Sequence, residues 1–422
     1  MAFKKSIEWL FFITISTLLL FRGMWNGFGT VSYSLNLFSV AIDVILLDAI
    51  SSNILFTLFM LLGGGLLFRE VNSRKKSKEL VSGPLIEAIV PVYNDAEVLS
   101  NSVDSLNDSG YQDLRINVVC EEEDEESIEA AEKLDCELII NDYPGSKAGA
   151  INTVFERRDS EYFAIFDADE LVHKDFLPKA MGYLEEGYQG FQGRRVPIPS
   201  GLIEKFAYCE RALFHTAYKI SEFSGFRNLR SSSTVMKREV WETVGGYEDL
   251  LTEDLDFPHK CYRHGIRIKQ DRRCTNLMEA PHSTKDFWGQ RKRWSMGQIQ
   301  ILHKALKGGY SKNFTVRGMV SNFRIVMGIL VPLLMLGLLS KFIILTLLGL
   351  ETFYLMPVIA TSLLALILSF KDIKRHPIKF IGLYSILTNL AVPITALLNI
   401  KSFFEYIISW NGDWYEVDKK GE

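Results

Sequence analysis

The sequence predicts an α/β protein, a doubly wound, mainly parallel sheet domain inserted between N- and C-terminal transmembrane helices. Three observations predict it. The 48% apolar content of the 422 residues is concentrated at the two ends, which leaves a charged middle. That middle alternates short apolar runs with helical periodicity, the pattern of βα units. One run, Tyr162-Phe163-Ala164-Ile165-Phe166, stops abruptly at Asp167-Ala168-Asp169-Glu170, as a buried strand does where it leaves its sheet. The net charge of -4 gives no footprint for a nucleic acid. The five cysteines (Cys120, Cys136, Cys209, Cys261, Cys274) have no CxxC spacing. They frame neither disulfides nor a zinc site, which suits a reducing compartment.

Residues 1–72 are expected to hold two transmembrane helices. Lys4 and Lys5 precede an apolar run from Ile7 to about Phe21, followed by Arg22-Gly23-Met24-Trp25 rather than a small-residue cleavage site. A retained helix is therefore predicted, with Trp9 and Trp25 as interface anchors. A second apolar stretch runs from about Val44 to Phe68, its start blurred by Asp43 and Asp48. It ends in Arg69, Arg74, Lys75, Lys76 and Lys78. That basic cluster marks the cytoplasmic side, so the N-terminus and the following domain share it.

Residues 84–310 read as the soluble domain. Leu85–Val92 is the first strand and ends in Pro91-Val92-Tyr93-Asn94. Asn94 with Glu97 resembles a helix N-cap and capping box, and Val98, Leu99, Val103 and Leu106 follow at helical spacing. Leu114–Cys120 is the second strand, and the acidic run Glu121–Glu126 enters a helix through about Leu134. Glu137–Ile140 is the third strand, and Gly145-Ser146-Lys147 opens a helix to about Phe155. Tyr162–Phe166 is the fourth. No GxGxxG follows the first strand, so a dinucleotide-binding form of this fold is not supported.

By themselves, Asp167 and Asp169 read more readily as a solvated strand-to-turn junction than as a site. Their position at the carboxyl end of a strand in an open α/β sheet is where ligands bind. Two acids this close repel unless a cation lies between them, and Mg²⁺ is commonly held by one or two carboxylates plus phosphate oxygens. Lys147 at a helix start opposes the macrodipole, which hints at an anion partner. Further on, Gly245-Gly246 leads into Thr252-Glu253-Asp254-Leu255-Asp256, an acidic first turn with Thr252 as a candidate cap. On the next helix, Phe287, Gln290, Arg293, Trp294 and Gly297 share one face. The same stretch also reads as a basic amphipathic helix on a membrane surface.

Residues 315–410 are expected to form about three apolar helices plus an interfacial segment, with 411–422 a polar tail. One or two helices fit between Met319 and Leu350, interrupted by Arg324, Pro332 and Lys341. Thr352–Phe370 is a clean span before the basic loop Lys371–His376. Ile378–Ile400 contains Pro393, and the side on which the C-terminus lies stays open.

Taken together, these motifs resemble a membrane-embedded family 2 glycosyltransferase, the group with cellulose, chitin and hyaluronan synthases and ceramide glucosyltransferases. Pro91-Val92-Tyr93-Asn94 resembles its opening motif and Ser146-Lys147-Ala148-Gly149-Ala150-Ile151-Asn152 its KAGALN segment. Asp167-Ala168-Asp169 resembles its DxD, Thr252-Glu253-Asp254 its TED, and Gln290-Arg291-Lys292-Arg293-Trp294 its QxxRW. Asn411-Gly412-Asp413-Trp414-Tyr415 is similar to the tail motif of its synthases. Two features depart from the pattern. The acid expected after the second strand is a glutamate, Glu121 or Glu122, and the acceptor-side segment reads Arg230-Ser231-Ser232-Ser233-Thr234.

The resemblance implies a GT-A-type domain on the cytoplasmic face of the cell membrane, in a multi-pass protein. It implies inverting, metal-dependent transfer from a nucleotide-diphosphate sugar, a UDP-sugar in first place, to a membrane-associated glycan, as in polysaccharide synthesis. Asp254 would be the catalytic base. Pro91, Tyr93, Asn94, Glu121, Glu122, Lys147, Asp167 and Arg293 would bind the donor. Glu253, Gln290 and Trp294 would bind the acceptor, and Asp167 and Asp169 would hold Mg²⁺ or Mn²⁺. Two alternatives stay open: a non-processive enzyme acting on a membrane lipid or lipid-linked acceptor, and a transporter or scaffold with an inactive transferase-like domain. Oligomeric state is not legible.

Overall fold

The computed structural model describes residues 49–74, 77–310, 315–347 and 351–409, strands at 32–37 and 40–45, and isolated positions that include Val417, Lys419 and Gly421. The first predicted span lies outside them apart from Thr14 and Thr17, as does the tail motif at 411–415. Strands β1 (Ser32–Leu37) and β2 (Val40–Ile45) pair antiparallel. Val44 and Ile45, assigned from sequence to the second apolar helix, belong instead to a strand rich in β-branched residues, and helix α1 spans Ala49–Val71.

The central sheet starts with the expected alternation: β3 (Ile86–Val92), α2 (Ala96–Asn107), β4 (Leu114–Cys120), α3 (Glu125–Ala131), β5 (Glu137–Ile140), α4 (Lys147–Arg157) and β6 (Tyr162–Ile165). These four strands are mutually parallel in the order β5-β4-β3-β6. Strand β3 turns alternate residues to opposite layers. Ile86, Ala88, Val90 and Val92 pack with Val98, Leu99 and Val103 of α2, while Ile89 packs with Ile151, Val154 and Phe155 of α4. Burial on both faces is why the strands read as near-continuous apolar runs. Helix α3 is shorter than expected. Asp124 Oδ1 caps it by accepting from Ser127 N at 3.2 Å, and beyond Ala131 the chain continues to Leu134 in tighter i to i+3 turns. Asn94 is not a cap: it adopts φ +52°, a left-handed conformation that asparagine tolerates, and Asp95 takes the N-cap position of α2.

The second half is mixed. It comprises β7 (Glu170–Leu171), α5 (Phe176–Glu185), β8 (Gly190–Pro197), α6 (Leu202–Ser221), β9 (Thr234–Lys237), α7 (Arg238–Val244), α8 (Glu253–His264), β10 (Ile268–Met278) and α9 (Thr284–Leu306). Strand β9 joins the halves, antiparallel to both β6 and β8. Strand β10 runs parallel to β8 and antiparallel to β7.

Three apolar helices follow: α10 (Val316–Leu347), α11 (Glu351–Asp372) and α12 (Thr388–Ser409). Arg324, Pro332 and Lys341 do not break α10, which is one continuous helix. Pro393 lies inside α12, and the interruption falls earlier, in a 3₁₀ turn at Gly382–Leu387. Among the described residues, 355–372 and 382–408 are long and apolar enough to cross a membrane. The helices pack onto the α/β domain. Leu67 of α1, Tyr208 of α6, Val196 of β8 and Leu368 of α11 share one apolar cluster.

Candidate active site

The carboxyl ends of β3, β4 and β6 lie side by side, with Val92 opposite Cys120 and Ile89 opposite Ile165. A cleft of about 670 Å³ opens there, at the point where consecutive strands depart to opposite sides of β3. Pro91 and Tyr93 line one end, and the Tyr93 ring is exposed, available for stacking. Glu121 is buried. Its Oε1 accepts from Asn141 Nδ2 at 2.8 Å and its Oε2 from Gly145 N at 3.1 Å, so it braces the loop into α4. Glu122 is exposed and does not line the cleft. Asn94 also lies off the cleft lining, its N–H donating to Asp124 Oδ2 at 2.7 Å.

Helix α4 is capped by Ser146, whose Oγ accepts from Gly149 N at 3.2 Å. A Cβ on Gly149 would lie 2.4 Å from the Tyr143 carbonyl, so only glycine lets the loop fold back this tightly. The cap places Lys147 against Asp167, and Arg195 of β8 pairs with the other oxygen of the same carboxylate. Burial alone would raise the Asp167 carboxyl; the two flanking cations instead hold it well below the usual carboxylate range. Burial raises the Asp169 carboxyl, with Lys419 opposing the shift and the Asp167 charge reinforcing it. Lys419 Nζ lies 2.7 Å from Asp95 Oδ2 and 3.8 Å from Asp169 Oδ1.

On the opposite wall, Glu253 and Asp254 open α8. Thr252 occupies the N-cap position, but its side chain makes no capping bond. Asp254 is half-buried, with Arg230 Nη1 3.9 Å from its Oδ2. Glu253 is buried and accepts from Ser231 Oγ at 2.7 Å. Gln290, Arg293 and Trp294 of α9 line the same cleft. Gln290 Oε1 accepts from Arg291. The guanidiniums of Arg291 and Arg211 stand 4.2 and 5.2 Å from the Trp294 ring centre. Gly297, also on this helix, lets it approach α8: a Cβ there would lie 2.1 Å from Thr252 Oγ1.

Residues 87–245 match the model of the family described as Glycosyl transferase family 2. The chain carries a family 2 glycosyl transferase domain. It is 22% identical over 279 residues to a "Probable glycosyltransferase YdaM" of Bacillus subtilis (strain 168), covering 60% of this chain and 65% of that one. It is 24% identical over 236 residues to a "Poly-beta-1,6-N-acetyl-D-glucosamine synthase" of Staphylococcus aureus (strain COL), covering 51% and 55%. The chain thus spans between about half and two thirds of the length of these relatives. Among solved structures it is similar to a mannosyltransferase from Pyrobaculum calidifontis in complex with GDP-Man and Mn²⁺, with 17% identity, 75% of this chain and 98% of that one covered, and a TM-score of 0.49.

The transferase domain brings the sequence-predicted residues to one cleft, except Asn94 and Glu122. It also adds residues that the motifs did not reveal. Arg195 is the second arginine of a strand, and strand alternation puts it on the face opposite Arg194, a signal present in the sequence but without a target until β8 was placed. Glu170 is fully buried. It accepts from Asn276 Nδ2 at 2.8 Å, from Ser233 Oγ, and from Asp167 N at 3.3 Å, so it anchors the aspartate loop from beneath. Asn152 ties α4 to the loop before α8. Its Oδ1 accepts from Trp241 Nε1 at 2.8 Å and Tyr247 N at 3.0 Å, and its Nδ2 donates to Tyr247 O at 2.8 Å.

Among the described residues of this domain, no group of three or more His, Cys, Asp or Glu side chains is arranged to hold a metal by itself. Asp167 and Asp169 nevertheless fit a hard divalent ion that draws its remaining ligands from a diphosphate. Both offer oxygen ligands at the cleft wall, and both already attract cations, Lys147 and Arg195 on one and Lys419 on the other.

Proposed function

We propose that this chain is an inverting, metal-dependent glycosyltransferase that moves a sugar from a nucleotide-diphosphate donor, with a UDP-sugar in first place, to a membrane-associated glycan. The observation that carries this reading is the convergence of Lys147, Asp167, Asp254, Arg293 and Trp294 on one cleft that continues between apolar helices. Its far end is lined by Met327 and Val331 of α10 and Thr395 and Asn399 of α12. The family match and the polysaccharide synthase among the relatives support the same reading. The basic cluster after α1 and the apolar helices support a multi-pass protein in the cell membrane with this domain on the cytoplasmic face.

In this mechanism Pro91 and Tyr93 hold the base at the mouth of the cleft, and Glu121 keeps the loop into α4 in place beneath it. Lys147 and Arg293 hold the diphosphate by charge. A divalent ion, bound through Asp167 and Asp169, would stabilise the negative charge that develops on the departing nucleotide. Asp254 accepts the proton of the attacking hydroxyl, and Trp294 supports the acceptor. Glu253, fixed by Ser231, and Gln290, fixed by Arg291, shape the acceptor side.

The test is transfer from labelled nucleotide sugars in membranes holding the full chain. Asp254→Asn is expected to lower turnover by about 10²–10⁴-fold while donor binding persists; near-normal turnover would remove the base assignment. EDTA is expected to stop transfer and Mg²⁺ or Mn²⁺ to restore it, and transfer insensitive to chelation would remove the metal from the reading. A second reading, single transfer to a membrane lipid, is favoured by Met327, Val331 and Leu398 in the cleft lining. Product size separates it from polymerisation. Absence of both transfer and hydrolysis with every common nucleotide sugar would favour an inactive transferase-like domain.

A further inference from the structure

A side pocket opens from the main cleft between α6 and the sheet. Arg211, His215 and Tyr218 of α6 reach it from positions i, i+4 and i+7, one face of the helix. Arg195, Arg211, Tyr218 and Arg230 line both spaces, so they form the passage between them. About 30 Å³ is open to the centre of a water-sized sphere. One water needs about 10–15 Å³ on that measure, so the space admits a group of carboxylate size and excludes a sugar ring.

The charges around it do not balance. Arg211 is 6% exposed, and among the described residues it has no hydrogen-bond or ion-pair partner. Around it lie the cations Arg195, Arg230 and Arg291, the Tyr218 phenol and the Trp294 ring. The neighbouring acids are already paired: Glu210 receives Nε and Nη2 of Arg291 at 2.7 and 2.6 Å, and Asp167 is paired with Lys147 and Arg195. Among the described residues, two more buried atoms at the pocket have no hydrogen-bond partner: Nε2 of His215, and Nη2 of Arg272, whose Nη1 pairs with Glu70 and Glu222. Burial, with Arg195, Arg230 and Arg291 close by, pushes the Arg211 guanidinium down to about 9. Leaving a buried cation and two buried polar atoms unpaired is unfavourable; an anion in this pocket would pair with Arg211 and with Arg272 Nη2, and with His215 Nε2 in the tautomer that carries its proton there.

We propose that the side pocket is a subsite for a carboxylate carried by the acceptor, and hence that the acceptor is an acidic glycan such as one bearing a uronic acid unit. The proposal rests on the transferase reading for the side from which the acceptor arrives. The pocket lies on that side: Arg230 is beside the proposed base Asp254 and Arg211 is against Trp294. The planar fork of Arg211 suits a carboxylate, which it can hold through two parallel hydrogen bonds.

The test is calorimetric binding to the full-length protein in detergent, with UDP and Mg²⁺ present to occupy the donor site. The probes are methyl glucuronoside against methyl glucoside, and glycerol 3-phosphate against glycerol. Methyl glucuronoside is expected to bind about tenfold or more tighter than methyl glucoside. Arg211→Gln is expected to abolish that preference, and Arg211→Lys to retain part of it. Equal binding of the two glycosides, or a preference that survives Arg211→Gln, would overturn the proposal. A preference for glycerol 3-phosphate alone would overturn the carboxylate assignment. If Arg211→Gln does not fold, the wild-type comparison together with Arg211→Lys decides. Binding needs no turnover, so a failure here with Asp254-dependent transfer intact removes the subsite and leaves the transferase reading standing.

Discussion

Glu170 lies fully buried beneath the two aspartates, hydrogen-bonded to Ser233 and Asn276. Burial pushes its carboxyl up to about 8, with Arg195 opposing the shift and the Asp167 charge adding to it. Near neutral pH, then, the group that anchors the aspartate loop holds its proton. The consequence for stability has a definite sign. The native state keeps a proton that the unfolded chain releases at the ordinary value of 4.5. Stability therefore declines as pH rises from about 4.5 to about 8 and levels off above. Glu170→Gln removes this titration while keeping a neutral hydrogen-bonding group. Its apparent melting temperature relative to wild type is expected to rise progressively from pH 5 to pH 8. A difference that stays flat or falls with pH would show that Glu170 is ionised in the folded protein.

At the scale of elements, the site depends on helix contacts that place side chains from far apart in sequence. Helix α9 reaches α8 closely only because residue 297 is glycine, with Thr252 in the space a Cβ would take. Gln300 of the same helix accepts from Leu251 N at 3.0 Å. Thr252 directly precedes Glu253 and Asp254, so any displacement there moves the proposed base. Gly297→Ala is expected to cost about 1–3 kcal/mol of stability by overpacking. It is expected to lower transfer more than donor binding, read as a fall in kcat with little change in donor KM. The Asn152 contacts act in parallel, coupling the helix that carries Lys147 to the loop before α8. Asn152→Ala is expected to leave the buried Tyr247 N–H without its acceptor. The result should be a loss of about 1–3 kcal/mol, measurable by denaturation, and weaker donor binding through Lys147.

At the scale of the molecule, the apolar helices are fastened to the catalytic sheet by charge as well as by packing. Arg194 of β8 donates to Asp372 at the end of α11, Nη1 at 3.0 Å, and Tyr208 Oη donates to the same carboxylate at 2.6 Å. Both partners of the ion pair are almost wholly buried. Removing one partner from such a pair typically costs about 3–5 kcal/mol, whereas replacing both with apolar residues is often neutral. Arg194→Met alone is expected to destabilise the protein in detergent strongly, and the double change with Asp372→Leu to recover most of the loss. If the double variant is as unstable as the single one, the pair has a role beyond charge compensation. Strand alternation links this anchor to the site, since the next residue, Arg195, contacts Asp167 from the opposite face.

The sequence by itself determined the first half of the sheet. Strands buried on both faces leave unbroken apolar runs, and β4 and β5 fall where those runs predict. It also determined the order of the motif residues, because each sits at a strand end or helix start whose local signals are short-range. It did not determine which acid after β4 faces the cleft, because Glu121, Glu122 and Asp124 differ only in direction. It also could not reveal the partners Arg195, Glu170, Asn152 and Lys419. Their roles come from contacts between residues far apart in sequence, where pairing is fixed by packing and charge rather than by local propensity. The mixed second half of the sheet, the continuity of α10 through Pro332, and the place of Arg211 in its pocket, without a charge partner among the described residues, were likewise decided only by the tertiary structure. Each depends on what a neighbouring element places opposite.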